Sequence, residues 1–556
     1  MTEMILPGVY IEVRPEGLIV PGAVTVGNLG VAGTASKGPV GVPVILGSYS
    51  EARERFGGYD PWIDGESDEL TLVRALELAY NHGATTVIAV RVASAAAAKA
   101  AHVLQSAGGD CVALTAKSEG TWGNDLSVEV KDAEEHAFVN AEEHTGGGAI
   151  TLSHAPVVKS ARNRIRLYTD ADGLTRPLQI LYGGGLPDDD PDPTTASQVK
   201  VNRTTGALAF FTAPGASDKV TASYMVDKSM AVKVTLRLGR AEEVYTVVSG
   251  EDLAADTNKV PGGSVWVDAE TKAHAGEVPS KLSAAFKNGN NGESGADYKT
   301  GGLDKLLNEA AHIIVAAGQD NSFGDELEAH CQQASTDAIK RDRIAITGSA
   351  VGATLDAIRG HTLDSDRLIF VAPGIKANDA AAAPPTEVTL PGAYAAAAVA
   401  GLLAGFSAHI SPTNKTLRVG GVEQRYTSAE LSQLVQSRVL ALEERQGFRI
   451  VKGVTAATNT AWHQITTRRI VDYAKFGVRS AASPYIGLLN NERVRAALRS
   501  TINSFLTEMV NDEMLISYEL EVSATRDEER RGIVQVTMVL RPTFSIDFIK
   551  VTMFLE

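Results

Sequence analysis

At 556 residues, with 44% hydrophobic and 21% charged residues, the chain has ordinary globular composition and is too long for a single core, so about two to four domains are expected. Its two cysteines, Cys111 and Cys331, exclude a disulfide framework or a cysteine-rich metal centre and fit a reducing compartment. A net charge of −15 argues against wholesale nucleic-acid binding. The chain opens on a strand-like segment, Ile5 to Val13, set off by Pro7 and Pro15, without the basic and apolar pattern of a signal peptide. Residues 24–93 read as an α/β unit. An apolar strand over Val24 to Ala32 leads to a short one over Pro43 to Leu46. A helix over Tyr49 to Phe56 is capped by Ser48 and Glu51 and stopped by Gly57-Gly58. A second helix over Leu70 to Asn81 precedes a buried strand over Thr85 to Val92.

Between about 100 and 300 short alternating strands prevail, such as Val232 to Leu238, Val244 to Val248 and Ser264 to Val267, punctuated by glycine clusters. This is the pattern of one or two inserted β domains. The acidic run from Asp188 to Pro193 lacks the glycine and terminal glutamate of a calcium loop and reads as a solvated turn. From about 303 the α/β rhythm resumes. Strands are expected over His312 to Ala317, Arg343 to Thr347 and Arg367 to Ala372, with helices over Asp325 to Lys340 and Ala353 to Arg359. Alternation of this kind predicts a largely parallel sheet covered on both faces. The alanine-rich stretch Ala393 to Phe406 is too short to span a bilayer and reads as a buried helix.

Further on, Thr427 to Leu442 reads as a helix capped at Ser428, Phe448 to Val451 as a strand and Asn491 to Glu508 as a long amphipathic helix. A hairpin follows, Ile516 to Val522 and Ile533 to Leu540, with Val534, Val536, Met538 and Leu540 on one face. The chain closes on a second strand-like end, Thr543 to Phe554. Apolar strands at both ends must pair with something, either the chain's own sheets or neighbouring copies. Phe544, Ile546 and Phe548 share one parity and Ile549, Val551 and Met553 the other, so both faces become covered or a bulge flips the register near Phe548. Residues 411–500 carry fourteen Lys/Arg against six Asp/Glu, a local +8 that leaves −23 elsewhere. Such a segment marks either a face toward an acidic partner or solvated helix faces.

Catalytic signatures are scarce: no phosphate-binding loop, HExxH or CxxC occurs. Gly405-Phe406-Ser407-Ala408-His409 has histidine where a nucleophile elbow needs its closing glycine, and Asp320 after Gly318 reads equally as a cap.

Four segments resemble the tail sheath proteins of contractile phages and related contractile injection systems. They are Pro7 to Glu12; Gly38-Pro39 through Gly57-Gly58; His82-Gly83-Ala84 with Val87 to Val92; and a C-terminal third with Pro391-Gly392-Ala393-Tyr394, Arg468-Arg469-Ile470, the long helix and the hairpin. The resemblance implies an α/β and β multidomain fold: a subtilisin-like α/β sheath core without protease chemistry, β-rich insertion and extended terminal β-arms. The implied domains are an N-terminal strand-exchange arm (1–22), the first part of the core (23–100), the inserted β-rich outer domains (101–300), the α/β core (301–410), a C-terminal inner domain (411–542) and a C-terminal arm (543–556). Val9, Tyr10, Ile11 and Val13 at one end, and Phe544, Ile546, Phe548, Val551 and Met553 at the other, are then the exchanged arms. Val534, Val536, Met538 and Leu540 mark the acceptor hairpin. Arg468, Arg469, Lys475 and Arg479 are the expected contacts to an acidic inner tail tube. Further implied partners are other copies in six-fold rings of a helical sheath, baseplate proteins and a tail terminator. No cofactor, metal, nucleic acid or membrane insertion is expected, and the implied location is the virion, after assembly in the host cytoplasm. The alternatives are a hydrolase-like enzyme acting through Ser407 or Asp320, and an adhesion protein using the insertion.

Overall fold

The computed structural model describes residues 27–63, 69–185 and 187–554. They form two compact units: Ala96–Gly292, and the chain on either side of it, up to Ala95 and from Glu293 onward. The N-terminal arm residues Val9, Tyr10, Ile11 and Val13 lie outside the described residues.

A nine-stranded sheet organises the flanking unit. Its order is Pro43–Leu46, Val87–Arg91, Leu29–Gly33, Ile313–Ala316, Ile344–Gly348, Leu368–Ala372, Leu440–Glu444, Phe448–Ile450 and Thr416–Leu417. Strands from Val87–Arg91 to Leu440–Glu444 run parallel, and antiparallel strands close both margins. Five of the parallel strands are buried at every residue, as a sheet covered on both faces requires. Alternate residues divide between two cores. Leu29, Val31, Val315, Ile346 and Val371 pack with helices Thr71–Asn81 and Gly392–Ala404. Ala32, Ile314, Ala345 and Phe370 pack with Leu327 and Cys331 of helix Gly324–Ala334. Small residues bring the alanine-rich helix close. A Cβ at Gly401 would strike the Ala79 backbone, and one at Gly348 the backbone of Gly392.

Three elements depart from the expectations. The helix expected over Thr427 to Leu442 ends at Gln436, and its cap is Thr427, in a capping box with Glu430, not Ser428. Arg438 then turns the chain at φ 65°, and Leu440–Glu444 becomes a buried strand of the main sheet. The helix expected to reach Lys340 stops at Ala334, and Lys340 itself has φ 59°. Arg468, Arg469, Lys475 and Arg479 lie on a helix for which no element was expected, Ile465–Ala482.

The Ala96–Gly292 unit is β-rich, with sheets of eight, four and three strands and two separate apolar cores. Val232–Leu238 forms as expected and pairs with Leu126–Asp132, Val234 opposite Val130. The strands expected at Val244 to Val248 and Ser264 to Val267 fall at Ala241–Val247 and Val267–Thr271. In the acidic run, Asp189 accepts the N–H groups of Gly184 and Gly185, Asp190 accepts that of Tyr182, and Asp188 pairs with Arg203. These carboxylates tie a turn.

Candidate assembly site

The C-terminal part of the flanking unit pairs helix Ile465–Ala482 with helix Glu492–Asn511, whose cap Asn491 accepts the Val494 N–H at 2.9 Å. The helices meet where Gly477 leaves room for Phe505, since a Cβ at Gly477 would run into that ring. Tyr473 stacks on Phe505 at 5.8 Å between centroids. On the second helix lies the hairpin Leu515–Ser523 and Gln535–Pro542, linked through the short helix Arg526–Arg530. Leu520, Val522, Val534, Val536, Met538 and Leu540 pack inward from one face. The opposite face is polar and includes the Glu519–Arg541 pair at 3.1 Å. The strands pair with each other from Leu515–Pro542 to Ser523–Gln535 and with no other strand among the described residues. Each therefore presents one open edge of backbone N–H and C=O groups.

Residues 543–554 follow the hairpin directly, in neither helix nor strand and in no sheet among the described residues. Phe544 is 59% exposed, Ile546 81%, Phe548 85% and Met553 84%. Seven large apolar side chains in this segment face water. Exposure on that scale, contiguous along one segment, marks a surface meant for a partner. Among the described residues this end joins none of the chain's sheets.

The four expected tube contacts lie elsewhere, and for two of them the expectation needs correction. Arg468 and Arg469 are buried. Arg468 donates to Asp366 at 2.8 Å and to Asp472 at 2.7 Å, and stacks over Trp462 at 4.3 Å. Arg469 donates to the carbonyl of Phe406 at 2.9 Å, and burial drives its pKa down to about 10. Lys475 and Arg479, half-buried, both bind Asp342. Burial tends to raise the Asp342 pKa, but hydrogen bonds and charge from Lys475 and Arg479 outweigh it and hold the carboxyl below its usual range. Arg367 joins the network, bidentate to Asp472 at 2.9 and 3.2 Å. These cations bolt helix Ile465–Ala482 to the main sheet. The spacing of Arg468, Asp472, Lys475 and Arg479 (i, i+4, i+7, i+11) puts them on one helical face, a signal legible in the sequence.

The two residues considered for chemistry hold local structure. The Asp320 carboxylate accepts the Ser322 N–H at 2.8 Å, capping a short turn. Ser407 follows the end of helix Gly392–Ala404, and its carbonyl accepts from Arg469 at 3.4 Å. Among the described residues no group of three or more His, Cys, Asp or Glu side chains is arranged to hold a metal ion.

The phage tail sheath central domain matches residues 291–456, and the phage tail sheath C-terminal domain matches residues 457–556, so the two adjoin at the start of the helix pair and hairpin. Residues 291–556 thus carry the two domains of the phage tail sheath family in their order. This is a family of structural proteins. The fold is similar to that of the sheath tail protein of Desulfitobacterium hafniense, with 13% identity and a TM-score of 0.57 over 96% of this chain and 100% of that one. The sheath tail protein of Listeria innocua is similar to the same degree, with 13% identity and a TM-score of 0.57 over 95% of each chain. No curated protein matches the chain. Within the sheath family's C-terminal domain fall both the open hairpin and the exposed C-terminal segment.

Proposed function

We propose that the chain is the repeating subunit of a contractile tail sheath, polymerising by strand exchange as stacked six-membered rings around an inner tube. One observation carries this: a two-stranded hairpin with open edges is followed by an exposed apolar segment that no strand among the described residues receives. Strand addition suits both halves. Main-chain hydrogen bonds along the hairpin edge supply affinity, and alternate side chains set the register. The inward packing of Val534, Val536, Met538 and Leu540 holds the acceptor rigid while its edges stay free.

A subunit joined to its neighbours through its terminal arms, the C-terminal one leaving at Pro542, can rotate without detaching. In this reading the sheath shortens and widens, driving the tube through a target envelope. The α/β unit is a scaffold of subtilisin-like type, and the Ala96–Gly292 unit decorates the outside. An acidic tube would meet exposed cations of the 411–500 segment, with Lys475 and Arg479 only partly accessible and Arg468 and Arg469 withdrawn. Baseplate and terminator proteins would bound the polymer, as part of a virion or a phage-derived particle.

The test is electron microscopy of the purified chain with and without residues 1–15 or 543–556. Hollow cylinders formed by the full chain and lost on either truncation, with thermal melting unchanged, are expected. Discrete particles from the full chain would overturn the reading.

A further inference from the structure

The C-terminal arm is not uniform along its length. Up to residue 547 it lies along its own subunit with an inverted polarity: Thr543, Ser545 and Asp547 are partly buried, while Phe544 and Ile546 face water. The Thr543 N–H donates to the Met514 carbonyl at 3.1 Å, and Ser545 Oγ donates to Asp547 at 2.9 Å. Asp547 is the anchor. Its carboxylate meets Lys452 Nζ at 3.3 Å and Gln464 Nε2 at 3.5 Å, and its side chain is only 11% exposed, against 20% for Lys452. The same ammonium sits 5.4 Å from the Phe548 ring centroid. From Phe548 to Phe554 every residue is exposed.

The change of parity in the sequence falls at this anchor. Phe544, Ile546 and Phe548 belong to the tethered half and its end; Ile549, Val551 and Met553 form the apolar face of the free half. Seven residues from Phe548 to Phe554 reach about 23 Å as a strand. That span matches most of an eight- or nine-residue hairpin strand such as Gln535–Pro542 or Leu515–Ser523.

We propose that the Asp547–Lys452 pair is a clamp that fixes where the arm leaves its own subunit, so that only the stretch beginning at Phe548 is exchanged. The occupant of the receiving edge is a second copy of this chain, and Ile549, Val551 and Met553 are the side chains buried there, which rests on the strand-exchange reading. Asp547 is a positioning residue: it sets the start of the exchanged strand, and the two parities then need neither a doubly covered strand nor a bulge within it. A partly buried charge pair suits this task, because it is directional and is screened less than an exposed one.

Nitroxide labels at Ile546→Cys and Thr552→Cys, in separate full-length chains, test this; both native cysteines are buried and stay unlabelled. In dilute, unassembled protein, the label at 546 is expected to be restrained and that at 552 mobile. Asp547→Ala and Lys452→Ala should each speed motion at 546 by up to about fivefold, leave 552 unchanged and show no added effect together. The exchanged pair Asp547→Lys with Lys452→Asp should restore restraint. On polymerisation, 552 becomes immobile while 546 does not change. A label at 546 as mobile as that at 552, or indifferent to Asp547→Ala, would overturn the clamp even where assembly immobilises 552. A label at 552 that stays mobile in assembled cylinders would overturn strand exchange by this arm itself.

Discussion

In the flanking unit, the buried carboxylates Asp342 and Asp472 sit among Arg367, Arg468, Lys475 and Arg479. In the Ala96–Gly292 unit, the carboxylate of Asp252 accepts the backbone N–H of Val248 at 3.2 Å, beside the carboxylate of Asp256. The first arrangement turns charge into a cross-link: Asp342 and Lys475 are 133 residues apart in sequence. The second shelters an acid that prefers to be neutral, its pKa pushed up to about 7, mainly by burial. Opposite charges offset burial at Asp342, whose carboxyl is held low, whereas burial still raises the carboxyl of Asp472 beside Arg468 and Arg367, as it does that of Asp252.

Removing one partner from the network should have the largest effect. Asp472→Ala leaves Arg367 with Asp342 and Arg468 with Asp366 as their remaining carboxylates, and is expected to cost the flanking unit about 1.5–3 kcal/mol in denaturant unfolding. A loss below about 1 kcal/mol would mean that the network is not what holds the helix.

Titration separates the two units next, with opposite signs. Asp252, raised in the folded state from 3.8 to about 7, contributes stability that is complete below pH 4 and is lost as pH rises through 7. The full effect is on the order of a few kcal/mol. Asp342, held below 3.8, contributes stability above that pH that is lost as pH falls through its folded value. Calorimetry of the full chain against Asp252→Asn and Asp342→Asn across pH 3–8 should therefore show the contribution of Asp252 falling, and that of Asp342 rising, from the acid end. Asp252→Asn should flatten the first profile and leave the second. An unchanged slope in that variant would remove Asp252 as its origin.

A smaller loss is expected from Gly477→Val, which forces the two C-terminal helices apart at Phe505 and should cost about 1–3 kcal/mol by the same unfolding measurement. Smallest is Lys117→Ala, whose exposed pair with Asp268 at 3.0 Å contributes about 0.2–1 kcal/mol, with no effect on assembly.

Much of the fold was legible because its signals are local. The marginal strand Pro43–Leu46, the buried strand Leu368–Ala372 and the Ser48-capped helix Tyr49–Phe56 follow from apolar runs and caps. Leu440–Glu444 was misread because its apolar residues continue the helical spacing begun at Leu431. Only the left-handed turn at Arg438, which a non-glycine side chain adopts under tertiary constraint, separates the two elements. The cations near 470 were read as a partner surface because charge count carries no direction. Whether a cation faces water or a buried acceptor depends on residues 63 to 133 positions away, as with Arg469 and the Phe406 carbonyl or Lys475 and Asp342.

The sequence by itself determined that this chain alternates strand and helix around a β-rich insertion and ends in an apolar strand-like segment, because period and turn chemistry are properties of neighbouring residues. Only the tertiary structure decided which sheet edges stay open, which cations are spent inside the molecule and where the C-terminal arm is pinned, because each depends on contacts between distant segments. Asp547 is one aspartate among the 67 acidic residues until folding brings Lys452 within 3.3 Å of it.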